Sequence, residues 1–167
     1  MMNKPLVNPS DPHYHWIMRI ALLTVGKCRQ ACFMAGIADY TSRIDRYAKL
    51  DFKAIREERV GRSVKPEEIR QKEANRLLEA VPKGAYTVAL DPKGEMSNRI
   101  SKLGLEGKSL MAFFIGGALG LSSQVVNAAN WKLSLSRMTF PHEMAQLILL
   151  EQLYRAFTIQ RGEKYHK

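Results

Sequence analysis

From Leu110 to Ile115 every side chain is apolar, and the run ends abruptly at Gly116-Gly117. No other feature constrains the fold as tightly. A strand with one wet face alternates apolar and polar residues, whereas one that is apolar throughout is buried on both faces, as in a parallel sheet covered by helices on each side. The remaining chain supplies the partners. Residues 18–26 read as a strand and turn, and 28–47 as a helix with apolar residues near helical spacing (Ala31, Phe33, Ala35, Ile37, Ala38, Ile44). Strand 50–55 and a polar, glycine-containing loop over 57–64 follow. Pro66 with Glu67 and Glu68 then opens a second helix reaching about residue 81, because proline suits the first helical position and carboxylates favour the positive end. Strand 85–90 is closed by the turn signature Asp91-Pro92-Lys93-Gly94. A short helix near 97–103, strand 109–115, a short helix over 122–129, strand 131–135, a loop to Pro141 and a long helix over 142–159 complete the alternation. This order predicts an α/β fold with an open, mostly parallel sheet and helices on both faces, whose ligands bind beyond the carboxyl ends of the strands.

The chain is long enough for one domain with a real core. Residues 18–167 are predicted to form it, preceded by an N-terminal extension over 1–17 that shows no period and reads as a mobile arm or an upstream start choice. That extension lacks the apolar core of a signal peptide, and no run approaches the ~20 apolar residues that span a bilayer. Cys28 and Cys32 lie one helical turn apart, too few for a disulfide framework or a zinc site, and read as buried reduced thiols. Neither a membrane nor a metal is expected, and the location expected is the cytoplasm.

Charge points to the partner. With 26 Lys and Arg against 16 Asp and Glu the chain carries +10, an excess that favours polyanions, chiefly nucleic acid. Cations outnumber carboxylates from Arg43 to Arg76, a stretch that either grips RNA phosphates or forms a solvated face. The last helix is apolar over more than one face (Met144, Leu147, Ile148, Leu150, Leu153, Tyr154, Phe157, Ile159). One side must bury on its own sheet and the other elsewhere, which predicts a two-fold dimer; a central helix within one chain is the alternative.

Several chemistries are excluded. Gly107-Lys108-Ser109 ends like a phosphate-binding loop, but Lys102 stands where the first glycine is required and a strand follows instead of a helix. Gly116 to Gly120 lacks dinucleotide-fingerprint spacing, and there is no Gly-x-Ser-x-Gly elbow. The paired glycines offer bare main chain at the end of a buried strand, either as a tight turn or for close approach of a flat ligand.

Four segments are specific in combination: Gly116-Gly117-Ala118-Leu119-Gly120-Leu121-Ser122; Leu133-Ser134-Leu135-Ser136-Arg137-Met138-Thr139-Phe140-Pro141-His142; Glu151-Gln152-Leu153-Tyr154-Arg155-Ala156; and Tyr165-His166-Lys167. In order and spacing they resemble the bacterial ribosomal RNA large-subunit methyltransferase H family, the 23S rRNA pseudouridine N3-methyltransferases, from Met18 to the last residue. The resemblance implies a SPOUT fold whose C-terminal segment threads a loop into a trefoil knot, a rare exception to the usual connection rules. It also implies S-adenosylmethionine as cofactor, held by Leu90, Gly116 and the loop Leu135, Ser136, Arg137, Met138, Thr139 and Phe140. Relatives often carry proline or serine and a polar residue where Ala118 and Leu119 stand. The substrate implied is 23S rRNA within the assembled ribosome. His142 and His166 become the candidate proton acceptors, with a structural or surface role as the alternative. Arg155 and Tyr165 become the RNA-facing catalytic candidates, since cations beside a stacking ring suit single-stranded RNA. A ribosome-associated RNA-binding protein without catalysis, and a SPOUT methyltransferase acting on tRNA, are the competing functions.

Overall fold

A computed structural model describes residues 18–59, 64–95 and 108–165. The described strands are β1 (Met18–Val25), β2 (Ala48–Ile55), β3 (Tyr86–Glu95), β4 (Leu110–Ile115) and β5 (Trp131–Leu133); the described helices are α1 (Ala31–Ile44), α2 (Pro66–Glu79), α3 (Ser123–Ala128) and α4 (His142–Gln160). The strands form one sheet in the order β2-β1-β4-β3-β5, with every neighbouring pair parallel. The expected α/β class is thus what the chain adopts.

The pleat divides the core between two faces. Ile20, Leu22, Val88, Phe113 and Ile115 point to one side, where Ile44 of α1 and Leu149, Leu150 and Leu153 of α4 cover them. Ala21, Leu23, Ala89, Ala112 and Phe114 point to the other, under Ala74 and Leu77 of α2 and Val125 of α3. Phe113 and Phe114 are both fully buried on opposite faces, which is why β4 shows no alternation. Truncating either to alanine costs about 3–5 kcal/mol for an aromatic removed from a packed core. β2, at the sheet edge, is exposed along most of its length and carries Lys49 and Lys53, charges that discourage a further strand from pairing.

Three expectations are corrected. Strand β3 does not end at Leu90: the chain continues extended to Glu95, and both Leu90 and Glu95 pair with Leu133 of β5. The turn chemistry is present, since Asp91 Oδ1 accepts the Lys93 N–H at 3.0 Å, but pairing to β5 overrides it. Gly94 makes this possible, because a Cβ there would sit 2.6 Å from the Lys132 carbonyl oxygen. Strand β5 stops at Leu133, not at 135, where Ser134 turns its hydroxyl to the Ser136 carbonyl at 2.8 Å. Finally, the cysteines are not buried: Cys32 is exposed and Cys28 half-exposed, because Cys28 precedes α1 and the first turn of α1, which holds Cys32, has no buried residue. The expected extension over 1–17 and the short helix near 97–103 lie outside the described residues.

Candidate cofactor cleft

The later half of β3, from Leu90 on, and the segments that leave the carboxyl ends of β4 and β5 converge. Between them lies a cleft of about 500 Å³, lined among others by Leu90, Gly116, Leu135, Ser136, Met138, Thr139 and Phe140, with His142 on its wall. Seven of the eight residues named from the sequence for cofactor binding therefore share one cavity. The eighth, Arg137, is exposed and does not line it.

Each wall has a local cause. At β4's end the chain reverses through Gly117–Gly120: the Gly120 N–H donates to the Gly117 carbonyl at 3.0 Å, and Gly120 takes φ +74°, a conformation that favours glycine. Gly116 admits no side chain, since a Cβ would lie 2.5 Å from the Gly120 carbonyl carbon and 2.6 Å from the Leu121 nitrogen. At Gly116, Gly117 and Gly120 the cleft is therefore lined by main chain without side chains. Beyond the turn, α3 is capped by Ser122, whose hydroxyl accepts the Val125 N–H. The loop after β5 is fixed by Ser134, buried and within 3.2 Å of the Pro92 carbonyl, and by Ser136, whose hydroxyl accepts the Met138 N–H at 3.0 Å. Ser134 thus binds the wall after β5 to the wall after Leu90.

Sequence reasoning missed Asp91, Lys93, Ser123 and Asn127, which also line the cleft. The Asp91–Gly94 turn signal marked the first two positions, but it read as the end of an element and not as a wall. It also missed Glu143. This carboxylate, 6% exposed, accepts the backbone N–H groups of Arg29 at 2.9 Å and Gln30 at 3.3 Å, tying the loop after β1 to the start of α4 beside His142, whose Nε2 is 4.0 Å away. The Arg29 N–H foremost, with that of Gln30, holds the Glu143 carboxyl below the usual carboxylate range.

Arg155 and Tyr165 lie elsewhere. Thirteen residues separate His142 from Arg155, about 20 Å along a helix axis. Arg155 bonds Glu151 through Nε at 3.0 Å and Nη2 at 2.5 Å and lies 5.4 Å above the Tyr165 ring. Tyr165 packs edge-on to Tyr154 at 4.6 Å, and its hydroxyl is 3.2 Å from that of Tyr40. The Tyr40 hydroxyl and burial push the Tyr165 phenol up. Tyr165 therefore belongs to a ring cluster joining α1 to the end of α4, and not to a loose tail. His166 lies outside the described residues. Among the described residues no three His, Cys, Asp or Glu are grouped as metal ligands would be, and no helix is long and apolar enough to cross a membrane.

Residues 18–166 match the family described as "Predicted SPOUT methyltransferase". The chain belongs to the SPOUT methyltransferases. Among relatives of this SPOUT chain are proteins named "Ribosomal RNA large subunit methyltransferase H" from Bacillus pumilus, 43% identical, from Clostridium novyi, 42% identical, and from Clostridium kluyveri, 40% identical. Each alignment covers 90% of this chain and 100% of the relative. The SPOUT match begins at Met18, the first residue of β1.

Proposed function

We propose that this SPOUT methyltransferase transfers a methyl group from S-adenosylmethionine to N3 of a pseudouridine in 23S rRNA of the assembled ribosome, acting as a cytoplasmic homodimer. The observation that carries the reading is the meeting of the three strand-end segments in one cleft, in a chain matching the methyltransferase H proteins along their whole length. The cleft fits the cofactor in kind. Its volume lies in the range of small-molecule sites. Leu90, Leu121 and Leu135 offer apolar walls to a flat base, the bare main chain at Gly116 admits close approach, and Asp91, Ser136 and Asn127 offer polar groups to a ribose and a charged end.

S-adenosylmethionine bound there would supply an electrophilic sulfonium methyl, a chemistry in which positioning and exclusion of water do most of the work. The wall after β5 orients the ligand through Ser136 and Phe140 and covers it with Met138, whose side chain is otherwise 69% exposed. His142, on the cleft wall, is positioned to accept the imino proton of the target base. His166 shares that candidacy by resemblance alone. Arg155, ~20 Å along α4 from His142, and Tyr165 packed beside it reach a base at the cleft only from a second copy. The dimer reading is supported by apolar surface left on the α1 and α4 layer, where Met34 and Ile159 are about half exposed. The trefoil knot remains part of the same proposal.

Purified full chain with labelled S-adenosylmethionine is expected to mark 23S rRNA at a pseudouridine in ribosomes lacking the modification. Label entering tRNA instead, or no label in either, would overturn the assignment.

A further inference from the structure

A second concavity lies beyond the carboxyl ends of β1 and β2, lined by Gly26, Lys27, Arg29, Arg56, Glu57, Glu58 and Arg59 among others. All four of its cations are exposed, whereas main-chain groups of the two loops are tied down. Glu143 accepts the N–H groups of Arg29 and Gln30. Glu73, 4% exposed, accepts the Glu58 N–H at 3.0 Å. Arg76 donates to the Arg56 carbonyl at 2.9 Å and pairs with the Glu58 carboxylate. The Gly26 N–H donates to the Ile55 carbonyl at 3.0 Å, joining one loop to the other. With Glu58 neutralised by Arg76, Glu57 is the remaining carboxylate among four cations, and the groove is cationic.

The groove also abuts the cleft. Val25, the last residue of β1, lies against Gly117, since its Cγ1 would be 2.8 Å from a Cβ there, and a Glu73 carboxylate oxygen would be 3.9 Å from the same atom. On the other side Glu143 joins the Arg29 loop to His142. Two buried carboxylates thus hold a cationic groove in fixed relation to the walls of the cofactor cleft.

We propose that Lys27, Arg29, Arg56 and Arg59 form a rail for the phosphodiester backbone of the RNA substrate, seating the strand so that a neighbouring base enters the cleft. The inference rests on the reading of RNA as substrate. Three of the four cations are arginines, whose planar fork matches phosphate oxygens. Loops already fixed by main-chain bonds lose little freedom on binding, which favours a recognition role over a merely solvated patch.

The test compares two double variants of the full chain that remove equal charge: Arg29→Gln with Arg56→Gln in the groove, and Lys49→Gln with Lys53→Gln on the exposed edge strand. Anisotropy of a labelled single-stranded RNA oligonucleotide is followed across salt concentrations. The groove variant is expected to bind at least tenfold more weakly at low salt. Its log–log salt slope should be shallower by about 1.4, the loss of two phosphate contacts on a single strand. With ribosomes, its KM rises while kcat at saturation and the affinity for S-adenosylmethionine stay near wild type. The edge variant should change little. Equal effects of the two variants would reduce the rail to general charge, and unchanged RNA binding by the groove variant, even with ribosome methylation lost, would replace RNA with a protein contact; either overturns the proposal. If the wild type neither binds S-adenosylmethionine nor methylates ribosomes while the groove variant alone loses RNA, the enzyme reading fails and the rail stands.

Discussion

Glu143 shows how one side chain joins two distant parts of the chain. Its carboxylate is nearly out of solvent, yet its main partners are two backbone amides in the loop after β1. A carboxyl whose folded pKa is depressed stabilises the fold above its ordinary pKa, and that contribution is lost as pH falls through the folded value. Glu143→Gln is therefore expected to melt a few degrees below wild type at pH 7, with the gap narrowing as the pH is taken below about 4. A gap independent of pH in thermal melts would assign the loss to packing and not to charge. Nothing in the sequence revealed this residue, because its partners stand 114 and 113 positions away and are main-chain groups, which carry no side-chain signature. His142, by contrast, was legible as the opening of a helix after proline, and it lies on the cleft wall.

Among the elements, legibility followed locality. β4 was readable because burial on both faces leaves an apolar residue at every position, and α2 because proline and two glutamates mark its start. The course of β3 after Leu90 was not, since Asp-Pro-Lys-Gly encodes a turn locally and only pairing with Leu133 keeps the chain extended to Glu95. That pairing predicts a sensitive position. Gly94→Ala places a methyl against the Lys132 backbone, and overpacking of this sort costs about 1–3 kcal/mol. For a chain of this size the expected drop in melting temperature is about 2–12 °C, from roughly 2–4 °C per kcal/mol. Gly84, where an added Cβ meets nothing but φ is +78°, serves as the comparison for backbone strain without a clash. Should Gly94→Ala melt as wild type does, the close passage of β3 over β5 would be wrong.

At the scale of the whole molecule, composition gave the sign of the partner, and the sheet order placed the cleft where open parallel sheets hold ligands. The pairing of two chains is expected from the apolar girth of α4, whose Ile159 stays half exposed, as does Met34 of α1. Sedimentation equilibrium is expected to return a dimer at micromolar concentration; a monomer would leave Arg155 and Tyr165 remote from any base in the cleft. Arg155→Ala should lower ribosome methylation at least tenfold while leaving cofactor affinity within about twofold, as suits a side chain ~20 Å along the helix from His142. Calorimetry with S-adenosylmethionine is the decisive measurement, comparing wild type with Gly116→Ala, whose added methyl would collide with the Gly120 and Leu121 backbone. A methyl-donor site in this cleft predicts saturable binding by the wild type and at least tenfold weaker binding by the variant. No heat from the wild type, or equal affinity in both, would contradict it.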